Sequence, residues 1–393
     1  MPKQTVKDLR NLRGERVFVR VDFNVPMAKG AIRDDTRIRA SLPTLEHLIQ
    51  AGARLVLASH LGRPKGPAPE FSLSPVGTRL AELLGRPVTM APDCVGPQVR
   101  TMAGALAEGG VLLLENVRFH KEEEANDPAF AARLIADSGA TVFVNDAFGS
   151  AHRAHASTEG VSHYVKTSVA GLLMDKELRY LGMALEARER PFVAILGGAK
   201  VSDKIQVIEN LLPRVDALLI GGGMAYTFFR AQGLAIGKSL VEEDRVELAK
   251  GLLARGQGKL HLPVDHVVAA AFAADAEHRT SPVTEMPPGW MGLDIGPQTA
   301  RAFAEQVGRA KIVLWNGPLG VFELEPFAEG TRAMARALAE CKGTTIVGGG
   351  DSVAAVTQMG LADRITHVST GGGASLEFLA GDPLPGVACL KEA

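Results

Sequence analysis

The sequence predicts an α/β protein of two domains, built on open, mainly parallel sheets with helices on both faces. Three observations carry this expectation. Short β-branched runs alternate with helix-length segments along nearly the whole chain. Several of those runs, such as VLLLEN, are apolar on both faces, as strands buried inside a parallel sheet are. And 393 residues exceed what one hydrophobic core usually holds.

Taken in order, the strand candidates are RVFVRVDF (16–23), RLVLASH (54–60), VLLLEN (111–116) and TVFVNDAF (141–148) in the first half. FVAILGG (192–198), ALLIGGG (217–223), KIVLWNG (311–317), TTIVGGG (344–350) and ITHVST (365–370) follow in the second. Helical patterns lie between them, for example Ser41–Ala51, Pro75–Leu84 and Phe327–Cys341. GRPKGPAPEFSLSP (62–75) is a proline-rich surface loop, and the charged helical stretch Met174–Pro191 marks the boundary between halves. No fixed-period repeat and no disordered tract interrupts the series.

Composition limits the partners. A net charge of −1 and a pI near 6.8 create no global field toward nucleic acid or acidic membranes, so any polyanion chemistry must be local. Cys94, Cys341 and Cys389 are scattered without CxxC spacing, which reads as reduced thiols rather than a disulfide framework or a zinc site. The N-terminal segment is charged and lacks a secretory apolar region, and apolar runs such as ALLIGGGMAYTFF are too short to span a bilayer. A cytoplasmic, soluble protein is expected.

The unusual residues fall at strand ends, where open α/β sheets bind ligands. The first half places Asp22 and Asn24, Arg37, His60 and Arg63, Arg118 and Arg153 there. If these converge they form a compact basic pocket, arginine's planar fork being suited to carboxylate and phosphate; the plain alternative is solvated surface charge. His152 and His155 are too loosely spaced for a zinc pair and read as structural or substrate-facing. Glu122–Glu124 reads most simply as a solvated helix start. The second half is glycine-rich at its strand ends instead. Its clusters fit neither common nucleotide fingerprint: Val353 and Tyr226 stand where G-x-G-x-x-G needs glycine, and Gln232 breaks a P-loop ending in Gly237–Ser239. Lys200 and Lys204, four apart on an expected first helical turn, would share a face, either as a solvated pair or holding a polyanion between them. Asp351 is an N-cap or, beside a phosphate, a Mg²⁺ ligand.

RVDFNVP, SHLGRP, ENVRF, AHRAHAS, GGAKVSDKI, GGGMAYTF, GLDIGP, WNGPLGVFE, GGGDS and STGGGASLE occur in one order over nearly the whole chain. Together they resemble the phosphoglycerate kinase family. The resemblance implies two Rossmann-like domains with a cleft and hinge between them. It implies a triose-binding domain over 1–172 joined by the returning tail 376–393, an interdomain helix over 173–190, and a nucleotide-binding domain over 191–375. The implied reaction is reversible phosphoryl transfer from 1,3-bisphosphoglycerate to MgADP, giving 3-phosphoglycerate and MgATP, by a monomer that closes on its hinge. Carried over by motif, Asp22, Phe23, Asn24, Arg37, His60, Leu61, Gly62, Arg63, Arg118 and Arg153 face the triose. Lys204, Gly292, Glu323, Gly349, Gly350, Asp351 and Ser352 face the nucleotide, with Glu323 toward the ribose and Asp351 toward Mg²⁺. Arg37, Lys200, Lys204 and Gly350 are the implied catalytic set. Because the attacking group would be an ionised carboxylate, no general base is required. A different transferase of phosphorylated acids, a nucleotide-binding module and an interaction protein are the competing readings; the last two leave the arginine set unexplained.

Overall fold

The computed structural model describes residues 2–186 and 188–393. The chain divides into two compact units, residues up to Leu178 together with Pro383–Ala393, and Arg179–Asp382.

The first unit contains strands β1 (Arg16–Arg20), β2 (Met27–Ala28), β3 (Ala31–Ile32), β4 (Arg54–Ala58), β5 (Thr89–Met90), β6 (Val111–Leu113), β7 (Val142–Asn145) and β8 (Thr167–Ala170). Six of them form one sheet in the order β5-β6-β4-β1-β7-β8, every pair parallel, while β2 and β3 make a separate short hairpin. Val17, Val19, Leu55, Leu57, Leu113 and Val144 project from this sheet into one core, against Ile38, Leu45 and Leu48 of the helix Thr36–Gln50. Each such side chain contributes roughly 1.5–3 kcal/mol by leaving water. The last residues of the chain are held in this unit by main-chain bonds from Gly386 to Ala151 and from Lys391 to Ser168, each 2.9 Å.

The second unit contains β9 (Phe192–Leu196), β10 (Ala217–Ile220), β11 (Leu260–His261), β12 (Asp265–Ala269), β13 (His278–Pro282), β14 (Met291–Ile295), β15 (Ile312–Asn316), β16 (Thr344–Gly348) and β17 (His367–Val368). A six-stranded parallel sheet runs β11-β10-β9-β15-β16-β17. Trp315 is fully buried within it, with its indole N–H donating to Gly317 O at 2.8 Å. An antiparallel sheet, β13-β12-β14, was not anticipated from the sequence. Its edge strand reads HRTSP and is almost wholly exposed, so it lacks the apolar run that betrays the others.

The nine strand candidates all contain observed strands, trimmed by the loops that carry the polar residues. A helix runs Leu172–Glu186, starting two residues before the charged stretch Met174–Pro191. One expectation fails. Lys200 and Lys204 share no helical turn: after the glycine loop at Gly197–Gly198 the backbone makes a 3₁₀ turn over Ser202–Lys204, and the α-helix begins only at Ile205. Gly198, at φ +112°, sends the chain away from helical geometry before Lys200 is reached.

Candidate active site

In the first unit, parallel pairing brings the C-terminal ends of β1, β4, β6 and β7 to one edge, so the polar segments following them meet. Asp22, just past β1, is nearly buried and accepts from Arg37 Nη1 at 2.6 Å and from Asn24 N at 3.2 Å. Burial pushes the Asp22 carboxyl up, but Arg37, His60 and Arg20 outweigh it and hold it below the ordinary value. Asn24 Oδ1 accepts from Gly62 N at 2.8 Å, and Gly62 O in turn accepts from Arg118 Nη1 at 2.7 Å. Gly62 has φ +63°, and a Cβ there would lie 2.4 Å from the Phe71 ring, so glycine is required for this bend. Arg63 and Arg153 are exposed; their charges, together with the burial that is the larger cause, lower the pKa of Arg118.

Under this rim lies a buried network that the sequence reading did not contain. Arg20, 1% exposed, donates from Nε to Ser157 Oγ at 2.7 Å and from Nη2 to His60 Nδ1 at 3.0 Å. Ser157 N and Oγ donate to the two oxygens of Glu123 at 2.9 and 2.6 Å. Glu123 is therefore not a solvated helix start: it is 0% exposed, and burial raises its pKa with Arg20 and Ser157 opposing. Burial keeps the His60 ring neutral, well below its ordinary pKa, with Arg20, Arg118 and Arg37 adding to the effect and Asp22 opposing it. His155 is likewise buried, and desolvation first, then nearby arginines, lower its pKa to about 4. Asn116 clamps the loop, accepting from Leu61 N and donating to Leu61 O and Phe71 O. Two of the expected triose-facing side chains point elsewhere: Phe23 and Leu61 belong to the core cluster, leaving only their main chain at the site.

In the second unit, a cavity of about 450 Å³ opens among the segments after β9, β10 and β15 and the strand β14 itself. Gly292, Glu323 and Asp351 line it, as do Lys238 of the broken P-loop segment and the exposed apolar Leu240 and Phe272. Gly292 N donates to Ser239 Oγ at 2.9 Å, and a Cβ on Gly292 would fall 1.4 Å from the Tyr226 hydroxyl. Close approach explains most of the other glycines too, but the neighbour is protein. A Cβ on Gly197 or Gly222 would strike Pro318 O, and one on Gly317 would strike Gly197 O. Gly350 differs. It starts the helix Gly350–Gln358 with open space beside it, after Gly349 at φ +88°, so the N–H groups of that first turn face no intrahelical acceptor.

Lys204 is 8% exposed and donates to Asn316 Oδ1; desolvation lowers its pKa to about 8, with Asp203 and Asp351 opposing. Asn316 Nδ2 is buried without a hydrogen-bond partner and would lie 3.0 Å from a Cβ on Gly349, an orphan donor at the start of that helix. Lys200, by contrast, is exposed in its loop. The Ser352 Oγ accepts from Gly317 N at 2.6 Å, which ties the oxygen to the β15 loop and leaves the hydroxyl proton and the main-chain N–H as donors. Asp351 is exposed at the second helical position and offers hard oxygen donors of the kind Mg²⁺ takes.

The residues missed share a cause. Asn316 and Asn116 sit inside quoted motifs, and Arg20 is a charge between two valines of a buried strand, itself a usable signal. Glu123 and Ser157, 34 residues apart, meet only through the fold. No helix among the described residues is long and apolar enough to cross a membrane.

The family model for phosphoglycerate kinase matches residues 6–382. A phosphoglycerate kinase from Moorella thermoacetica is 62% identical over 396 residues, covering 100% of both chains. The cytosolic phosphoglycerate kinase of Triticum aestivum is 61% identical over 390 residues, covering 98% of this chain and 97% of that one. Among solved structures, phosphoglycerate kinase from Coxiella burnetii superposes with a TM-score of 0.89 at 42% identity, covering 99% and 98% of the two chains. The enzyme from Pyrococcus horikoshii OT3 gives 0.85 at 34%, with the same coverage. Two parallel six-stranded sheets, a basic cluster on one, a glycine-lined cavity on the other and these full-length relatives lead to one conclusion: the chain belongs to the phosphoglycerate kinase family.

Proposed function

We propose that the first unit's basic cluster binds the phosphorylated three-carbon acid and the second unit's cavity binds the adenine nucleotide. The chain is a phosphotransferase with a carboxyl acceptor, and its reaction is the reversible transfer of a phosphoryl group from 1,3-bisphosphoglycerate to ADP in glycolysis. In this reading Arg37, Arg63, Arg118 and Arg153 grip the phosphate and carboxylate of the triose, while Asp22 and Asn24 orient Arg37 and the Gly62 loop. Leu240 and Phe272 cover the base, Glu323 takes the ribose, and Gly349–Ser352 take the phosphates through main-chain N–H groups.

The carboxylate nucleophile is ionised at neutral pH, so the protein's task is positioning and charge. Arg37, Lys200, Lys204 and the N–H of Gly350 supply positive charge and donors to the phosphoryl oxygens in transit. Asp351 would hold Mg²⁺, whose charge would offset that of the nucleotide phosphates. A cytoplasmic monomer is the proposed state, since one chain carries both substrate sites. The observation that carries the reading is Asn316. Its buried, unpartnered Nδ2 beside Gly349, with Lys204 on its other atom, is a donor waiting for an anion at the cavity's glycine helix. The test is a coupled assay of ATP formation from 1,3-bisphosphoglycerate and ADP. Asn316→Ala should weaken ADP binding by about tenfold or more, as expected for a lost hydrogen bond to a charged group, and leave 3-phosphoglycerate binding unchanged. A variant that binds ADP normally would remove the phosphates from this place.

A further inference from the structure

Arginine can only donate hydrogen bonds, and an ionised carboxylate can only accept them. That rule orients every proton in the network beneath the triose cluster. Arg20 Nη2 donates to His60 Nδ1 at 3.0 Å, so Nδ1 carries no proton and the neutral ring must carry its proton on Nε2. Arg20 Nε donates to Ser157 Oγ at 2.7 Å, so the single hydroxyl proton of Ser157 is left to point at Glu123 Oε1, 2.6 Å away. Ser157 N occupies the other carboxylate oxygen at 2.9 Å. Burial raises the Glu123 carboxyl above its ordinary value, and Arg20 and the two hydrogen bonds from Ser157 oppose it by favouring the ionised form. Arg20 Nη1 is fixed as well, on Val21 O at 2.5 Å. All four side chains are 5% exposed or less, so water does not compete for these bonds.

We propose that Glu123 is a positioning residue of the triose site: through Ser157 and Arg20 it holds His60 as the Nε2–H tautomer, a fixed donor presented to the substrate. This rests on the reading of the first unit as the triose site. Glu123 and Ser157 are buried beneath the cluster and would touch no substrate, so the effect must pass through Arg20. Without the carboxylate, Arg20 loses a buried counter-charge and the Ser157 hydroxyl proton loses its acceptor. The guanidinium is then free to turn from His60 Nδ1, and the ring is free to exchange tautomers.

The test uses the full-length protein labelled with ¹⁵N-histidine, and two variants. Glu123→Gln removes the charge; Ser157→Ala cuts the middle link with Glu123 intact, and stands alone if the first variant does not fold. In the unliganded wild type, His60 is expected as the Nε2–H tautomer at pH 6–8. In each variant the Nδ1–H form or the imidazolium should become visible. The KM for 3-phosphoglycerate should rise about tenfold or more, in line with loss of a charge-assisted bond, with the KM for ATP unchanged. A wild-type tautomer signature in a folded variant overturns the proposal whatever the kinetics, as would an equal rise in both KM values. If the tautomer moves and neither KM does, the relay stands and the assignment of this cluster to the triose falls.

Discussion

Arg37 holds Asp22 at 2.6 Å and keeps a third of its own side chain in water, so it is tethered and still available to a ligand. A preorganised charge aimed at a transferring group can be worth ~3–4 kcal/mol to the transition state. Arg37→Ala is therefore expected to lower turnover by two to three orders of magnitude, with the protein still folded at pH 7 but at a lower thermal midpoint, because the neutral His60 ring brings no charge and Arg20 is left to balance the nearly buried Asp22 carboxylate. The same change alters acid stability. The Asp22 pKa is depressed in the folded protein, so its contribution is present above the unfolded value and is lost as pH falls through the folded one. Removing Arg37 should raise that folded value and move the loss to higher pH. Near-normal turnover in Arg37→Ala would take the residue out of the mechanism. At this scale the placement of residues was legible where a polar residue follows a strand in a quoted motif, as with Asp22 after β1 and Arg118 after β6, which the parallel sheet brings to one edge. It was opaque for Glu123, whose three-carboxylate run looks solvated and whose burial depends on Arg20 and Ser157, both remote in sequence.

The helix Leu172–Glu186 begins on Asp146, which accepts from Leu173 N at 2.9 Å and Met174 N at 3.3 Å, while Thr44 Oγ1 accepts from Leu172 N at 2.8 Å. Asp146 is fully buried, and desolvation raises its pKa to about 7 against the opposing hydrogen bonds. A carboxyl whose folded pKa is raised binds its proton more tightly when folded. Stability from this group is thus full below the unfolded value, falls as pH rises from about 4 to about 7, and is level above. Asp146→Asn removes that proton and keeps an acceptor for the helix N–H groups. Relative to wild type, the variant should gain stability across this window, by up to roughly 1.4 kcal/mol per pH unit, whatever constant offset the amide introduces. Denaturation midpoints at several pH values check it, and a difference that does not change between pH 4 and 7 rules it out. The elements themselves were readable where apolar runs were long. Those missed are two residues long, as β2, β3, β5 and β11 are, or carry polar residues or glycine in place of an unbroken apolar run, as β8 and the antiparallel β12–β14 do, and only pairing with neighbours defines them.

Across the whole molecule, the chain leaves the first unit at Leu178, builds the second, and returns at Pro383. The return was not visible in periodicity, because Asn145 Nδ2 to Gly386 O at 2.8 Å and Gln4 N to Lys391 O at 2.9 Å are contacts between sequence-distant residues. Each unit has its own sheet and core, and the two groups of proposed ligand residues are divided between them without overlap. A ligand that binds only the folded form stabilises it by RT ln(1 + [L]/Kd), about 2.7 kcal/mol at a hundredfold excess over Kd. Local opening of the segments it touches should be suppressed to match, slowing their amide exchange by about a hundredfold. MgADP should therefore protect the loops after β9 and β15, the strand β14 and the start of the helix Gly350–Gln358, and leave the first unit's exchange unchanged. 3-Phosphoglycerate should protect Asp22–Asn24, His60–Arg63 and Arg118–Glu124, and Pro383–Ala393 should report with them, being hydrogen-bonded into the same unit. The experiment is hydrogen exchange by mass spectrometry on the full-length chain with each ligand separately. If MgADP protects His60–Arg63 or 3-phosphoglycerate protects the glycine helix, the division of the two substrates between the units is wrong.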